Sequence, residues 1–138
     1  RTKEGGIEIS PNAKILFTVR TELVEHHKGQ ISFPGGVQEK MDRSLKETAL
    51  RECEEEIGLD SNLVDVIADL PIIPTVATKF TIKPYLGLIH QEPILRPNPS
   101  EIAEILFAPL YHLLDPRHSS METYERGGVK YHLKAYQV

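Results

Sequence analysis

Apolar positions along this chain recur with two different periods, and the period assigns the elements. Residues 13–20, AKILFTVR, are mostly apolar with β-branched and aromatic members, bounded upstream by Pro11 and Asn12. Such a run reads as a buried strand that supplies sheet core and delivers Arg20 to a sheet end. The polar stretch TELVEHHKGQ leads into a short extended ISF and then PGG, where a proline and paired glycines demand a tight, unusual backbone path. From about Arg43 to Ile57 the period becomes helical. Leu45, Ala49, Leu50, Cys53 and Ile57 share one face, acids occupy another, and Gly58 is a natural stop.

Beyond this helix, LVDVIADL and FTIKPYLGLIH read as strands, with Pro84 implying an edge position or a bulge in the second. RPNPS is a loop, EIAEILFAPL opens as a strand, and PLYHLLDP gives a short helical turn closed by Asp115 and Pro116. METYERGGVKYHLKAY reads as a hairpin about Gly127 and Gly128, and the terminal YHLKAYQV as a strand interrupted by the end of the chain. There is no internal repeat, low-complexity segment or linker. The pattern predicts one α+β domain over residues 1–138, a layered α/β/α sandwich with a mixed β-sheet, one long helix and a shorter one.

Composition narrows the partners. A net charge of -4 across 138 residues gives no general basic field, so nucleic acid is not an expected partner. Cys53 is the only cysteine, and no apolar run of about 18 residues is present to span a membrane. The expectation is a cytoplasmic or other reducing soluble compartment without membrane association. The chain starts at Arg1, which is compatible with a removed organelle-targeting peptide.

The chemistry concentrates in RECEEEIGL, residues 51–59. On a helix Glu52, Glu55 and Glu56 stand at i, i+3 and i+4, so three carboxylates share a face and repel one another. Either solvent or a divalent cation must offset that repulsion. With the PGG turn ahead of the helix, glycine backbone able to approach a ligand, and carboxylates at fixed spacing, the arrangement suits a hard oxygen-seeking ion and a phosphate substrate. Cys53 falls on the apolar face and reads as packing. His112 and His132 lack zinc-site spacing, and Ser119, Ser120 and His118 lack a nucleophile-elbow context. Phe80 and Tyr85 read as core aromatics ahead of base-stacking groups.

The stretch PGGVQEKMDRSLKETALRECEEEIGL resembles the signature of the Nudix hydrolases, which cleave nucleoside diphosphates linked to another group. RECEEEIGL matches its strongest part in full. The usual spacing puts an acid five residues after the glycine and seven before the arginine. Here Gly36 leads to Asp42, but eight residues separate Asp42 from Arg51, and counting seven back reaches Arg43. The coenzyme A pyrophosphatase branch is similar in this longer stretch, in ILFTVR and HKGQISFPGG upstream, and in TKFTIKPYLGLI, the RPNPSEIAEILFAPLYHLLDP run and a tyrosine-rich hairpin downstream.

The resemblance implies metal-dependent hydrolysis of the diphosphate of coenzyme A or its derivatives, with Mg²⁺ or Mn²⁺ as cofactor. It implies Glu52, Glu55, Glu56 and the Gly35 carbonyl as metal ligands, Glu52 as base or water-orienting group, and Arg51 as a brace. Glu101 is the first candidate for a further catalytic carboxylate and Glu104 the second. Arg20, His27, Lys28 and Gly36 are candidates for substrate contact, beside the plainer reading of Arg20, His27 and Lys28 as solvated residues. The alternatives are another nucleoside diphosphate derivative as substrate, or a nucleotide-binding module without catalysis. A homodimer is compatible with the sequence.

Overall fold

The computed structural model describes every residue except 1, 4, 5, 8, 11, 25–27, 76–79, 127, 137 and 138, and omits the side chains of 2, 3, 6, 7, 122, 124–126, 129 and 131–136. In chain order the elements are β1 (Thr2–Lys3), β2 (Gly6–Ile7), β3 (Lys14–Arg20), β4 (Ile31–Ser32), α1 (Leu45–Ile57), a 3-10 turn (Ser61–Leu63), β5 (Val64–Asp69), β6 (Ile73–Pro74), β7 (Thr81–Ile82), β8 (Tyr85–Ile89), β9 (Ile102–Pro109), α2 (Leu110–Leu114), a second 3-10 turn (Pro116–His118), β10 (Ser119–Arg126) and β11 (Val129–Tyr136). The class is α+β, with one long helix and one short one. The chain folds into two compact units, residues 18–105 and residues 1–17 with 106–138, and β3 and β9 contribute to both. No helix among the described residues is long and apolar enough to cross a membrane.

In the unit of residues 18–105, α1 is delimited by its caps. The Ser44 hydroxyl accepts from the Glu47 N–H at 3.1 Å, and the Glu47 carboxylate reaches back to the Arg43 N–H at 2.6 Å, a variant of the capping box that sets the start at Leu45. At the other end Gly58 adopts φ +68°, where an L side chain is strained, and its N–H donates to the Glu54 carbonyl at 2.9 Å. Ile57 and, beyond the helix, Leu59 are buried, and Ala49, Leu50 and Cys53 are half-buried. Leu45, expected on the same stripe, is 44% exposed, so the apolar face weakens toward the N-terminus.

Strands β4, β3 and β9 form a sheet in that order. β3 and β4 are antiparallel, pairing Thr18 with Ser32 and Val19 with Ile31, and the fully buried Thr18 donates its hydroxyl proton to the Ser32 carbonyl at 3.1 Å. β5 and β8 pair antiparallel with a register shift between Val66 and Ala68, and β6 and β7 form a two-residue ladder. FTIKPYLGLIH is therefore two strands, not one. Proline lacks an N–H, and Lys83 and Pro84 stand between β7 and β8, where the Pro84 carbonyl accepts from the Leu70 N–H at 2.9 Å. Phe80, expected in the core, is 63% exposed.

In the other unit β10 and β11 pair from Ser119↔Tyr136 to Arg126↔Val129, with Gly128 at φ +79° between them, the hairpin the sequence predicts; Gly127 lies outside the described residues. His112 and His118 stack with ring centroids 3.7 Å apart, a packing contact in keeping with the structural reading of His112. The side chain of His132 lies outside the described residues.

Candidate functional site

Helix α1 presents its acids through an arginine hub. Asp42, whose side chain is 2% exposed, accepts from Arg51 Nε at 2.9 Å on one carboxylate oxygen and from Arg51 Nη2 at 2.9 Å on the other. The second oxygen also accepts from the Thr48 hydroxyl at 3.0 Å and the Glu39 N–H at 2.9 Å. The Arg51 guanidinium, followed by these donors, holds the Asp42 carboxyl well below the usual carboxylate range, and Asp42 in turn raises Arg51. Asp42 thus pairs with Arg51 despite the eight-residue interval. Arg43, the position reached by the seven-residue count, points elsewhere: its side chain is 89% exposed and pairs with Glu47. Bidentate Arg–carboxylate geometry fixes the guanidinium plane. The remaining donors brace the loop and helix, with Nη2 to the Val37 carbonyl at 3.1 Å and Nη1 to Glu52 Oε1 at 3.2 Å and Glu55 Oε2 at 3.1 Å.

The three glutamates are not equivalent. Glu55 is exposed and held by Arg51, whereas Glu56 is buried to 4% exposure and accepts from the Gly35 N–H at 3.2 Å. Burial pushes the Glu56 carboxyl up to about 7, with Glu52 and Glu101 adding in the same direction and the Gly35 N–H and the Arg20 charge opposing. Glu52 is raised too, first by burial and then by Glu55 and Glu101, against the pull of Arg51. Glu101 therefore shares the electrostatic neighbourhood of Glu52 and Glu56. Glu104, the second candidate, is exposed on β9. Cys53 has its thiol pushed up to about 11, chiefly by burial, which makes it a poor nucleophile and fits packing.

The paired glycines do something other than the unusual backbone path expected of them. Neither has positive φ. Instead, a Cβ on Gly36 would overlap the Glu52 carboxyl group and stand 2.9 Å from its Cγ, so any larger residue there has to displace the Glu52 side chain. Gly35 has open space at the corresponding position and contributes its N–H to Glu56. Arg20, at the end of β3, is half-buried. Its N–H donates to the Gln30 carbonyl at 2.9 Å, while its carbonyl accepts from the Gly29 N–H at 3.0 Å. Lys28 is exposed in that turn, and His27 lies outside the described residues.

A segment that carries no charged motif closes the far end of the helix. The Arg96 N–H donates to the Ile57 carbonyl at 2.7 Å and the Asn98 N–H to the Glu56 carbonyl at 2.8 Å, satisfying two of the last carbonyls of α1. The sequence marks it as the RPNPS loop and as part of the run that resembles the coenzyme A pyrophosphatase branch, but not as a cap on the end of α1. Thr48 was unmarked, a polar residue among apolar helix positions that turns out to be buried.

Carboxylates and backbone oxygens form a donor set that suits a hard divalent cation, and Glu56, buried with a raised carboxyl, would be relieved by one. Among the described residues no three His, Cys, Asp or Glu side chains already stand at ligand spacing. Glu52 and Glu55 are both turned toward Arg51 Nη1.

Comparison with known proteins agrees with this chemistry. The NUDIX domain matches residues 5–124. A Nudix hydrolase NudL of Pectobacterium atrosepticum, described as uncharacterized, is 40% identical over 100 residues, covering 72% of this chain and 52% of its own. The peroxisomal coenzyme A diphosphatase NUDT7 of Mus musculus is 34% identical over 104 residues, covering 75% of this chain and 43% of its own. The mitochondrial Nudix hydrolase 15 of Arabidopsis thaliana is 36% identical over 123 residues, covering 86% and 42% respectively. The chain spans about half the length of the curated relatives it matches. With a buried carboxylate, Glu56, on α1, an arginine hub beside it and a domain match over most of its length, this chain belongs to the Nudix family.

Proposed function

We propose that this chain hydrolyses the diphosphate linkage of coenzyme A or a derivative, with Mg²⁺ or Mn²⁺, to 3′,5′-ADP and 4′-phosphopantetheine or its acyl form. The observation that carries the hydrolytic part is the grouping of Glu52, Glu56 and Glu101 beside the two glycines, with Glu101 raising the carboxyls of both Glu52 and Glu56 and Glu52 raising that of Glu56. The substrate part is supported by HKGQISFPGG and by the relative named as a coenzyme A diphosphatase.

In this reading Glu52, Glu55, Glu56 and the Gly35 carbonyl would hold the cation. When bound, it would neutralise phosphate oxygens and acidify the attacking water. Glu52, confined between Arg51 and Gly36, orients that water and takes its proton as the new oxygen–phosphorus bond forms in line with the breaking anhydride bond. Arg51 keeps the Glu52 backbone and loop register fixed through Asp42 and Val37. Glu101 adds negative charge to the surroundings of Glu52 and Glu56, and Arg20, Lys28, Gly36 and His27 are assigned to the phosphates of the substrate. A reducing compartment fits the single thiol.

The test is product analysis after incubation with coenzyme A, ADP-ribose and diadenosine polyphosphates, each with Mg²⁺, Mn²⁺ or chelator. Metal-dependent 3′,5′-ADP release from coenzyme A in clear excess over the other substrates supports the reading. Preferential cleavage of another substrate overturns the coenzyme A assignment, and no cleavage of any overturns hydrolysis.

A further inference from the structure

The residues 96–101 make a compact bridge from the end of α1 to the start of β9. Asn98 lies at its centre, with its backbone N–H, its carbonyl and its side-chain oxygen all engaged. Its N–H donates to the Glu56 carbonyl at 2.8 Å, while its own carbonyl accepts from the Glu101 N–H at 3.0 Å and the Ile102 N–H at 2.8 Å. Its side-chain Oδ1 accepts from the Ser100 hydroxyl at 2.8 Å and the Ser100 N–H at 3.2 Å, an Asx turn that sets the direction of the peptide entering Glu101. From the other side, the Thr21 N–H donates to the Glu101 carbonyl at 3.0 Å and the Thr21 hydroxyl to the Ser100 carbonyl at 3.3 Å, next to Arg20. The bridge also sits tightly on the helix end, since a Cβ at Gly58 would come within 3.2 Å of Arg96 N and Cβ.

A single residue thus bonds the backbone of Glu56 and the backbone of Glu101, two carboxylates supplied by segments 45 positions apart in the chain. We infer that Asn98 is a positioning residue that fixes Glu101 against the α1 carboxylates through its Asx turn. It touches neither cation nor substrate. This inference rests on the proposed metal-dependent reading, and it adds that the geometry of the acidic site is set by a neutral side chain outside the signature.

The experiment compares the wild-type chain with Asn98→Ala, Asn98→Asp and Ser100→Ala, reading Mn²⁺ affinity by electron paramagnetic resonance, kcat and KM separately, and the urea midpoint. Asn98→Ala removes the Oδ1 acceptor and is expected to weaken Mn²⁺ binding about 10-fold or more, the range found for outer partners of metal ligands, and to lower kcat more than it raises KM. Asn98→Asp keeps the acceptor and is expected to restore Mn²⁺ affinity to at least the wild-type level. Ser100→Ala, which removes one exposed hydrogen bond, is expected to fall between, and it serves if Asn98→Ala does not fold. Wild-type Mn²⁺ affinity and kcat in Asn98→Ala or, where that variant does not fold, in Ser100→Ala overturn the inference, as does an Asn98→Asp variant as impaired as Asn98→Ala. If the wild-type chain itself neither binds Mn²⁺ nor turns over, the proposed metal-dependent function fails instead, which separates the two.

Discussion

Replacing Glu56 by glutamine should make the metal-free protein more stable while disabling it. The carboxylate is buried against the Gly35 N–H, close to Glu52 and Glu101, and burial is the largest cause of its raised value. A carboxyl moved from 4.5 to about 7 forfeits roughly 3 kcal/mol of folding free energy once ionised, at about 1.4 kcal/mol per tenfold change in proton affinity. The sign follows from the direction: with the folded value above the unfolded one, the contribution is intact below pH 4.5 and is lost as pH rises to about 7. Glutamine has the shape of the protonated acid and keeps an acceptor for Gly35 without ever ionising. In chelator, urea denaturation of Glu56→Gln and wild type should give equal stabilities near pH 4, with the mutant gaining up to roughly 3 kcal/mol by pH 8. With Mn²⁺ restored, the wild type should regain stability that the mutant cannot, and turnover of the mutant should be lower by about 100-fold or more. A stability difference that stays flat with pH, or a mutant less stable than wild type at pH 8 in chelator, would refute the reasoning.

Asp42→Asn should lower the urea midpoint at pH 7, more than Glu55→Gln does, because Asp42 takes four donors while Glu55 takes one exposed contact. Since the Asp42 value is depressed, its stabilisation is present above the usual carboxylate range and fades as pH falls through the folded value, so the gap to wild type should narrow in strong acid; a gap independent of pH would contradict this. Gly36→Ala should displace the Glu52 carboxyl group and weaken Mn²⁺ binding roughly 10–100-fold with an unchanged circular dichroism spectrum; unaltered binding would show that Glu52 moves aside without consequence. Ser44→Ala removes the N-cap of α1 and should cost about 1 kcal/mol in denaturation, with kcat retained; no loss would mean that the Glu47–Arg43 contact alone holds the helix start.

Helix α1 was readable because its signals are local: Ser44 and Gly58 bracket a stripe with helical period, and each makes the capping contact its residue type favours. The acids on that helix were readable as a group but not as individuals. Spacing places Glu52, Glu55 and Glu56 on one face, yet only the PGG loop and the 96–101 bridge, distant in sequence, separate a buried Glu56 from an exposed Glu55. Counting residues could not decide between Asp42 and Arg43, because the choice rests on burial: Asp42 is enclosed beside Thr48 and Arg51, while Arg43 is exposed and pairs with Glu47. FTIKPYLGLIH misled for a related reason: Pro84 was correctly a warning, but whether it bulges, edges or breaks a strand depends on the Leu70 partner opposite. Glu101 entered as a choice between two acids on one segment, and what distinguishes it from Glu104 is the long-range anchoring of its backbone by Asn98 and Thr21.

Arg51 Nη1 bonds the carboxylates of Glu52 and Glu55 at the same time. On the proposed assignment of Glu52 and Glu55 to the cation, the arginine is an internal competitor, and a cation titration would report a difference between two ion pairings instead of the intrinsic strength of the carboxylate site. On that assignment a substitution that loosens the Arg51–Glu55 pair, such as Arg51→Lys with its single point charge, would move folding stability and cation affinity in opposite directions.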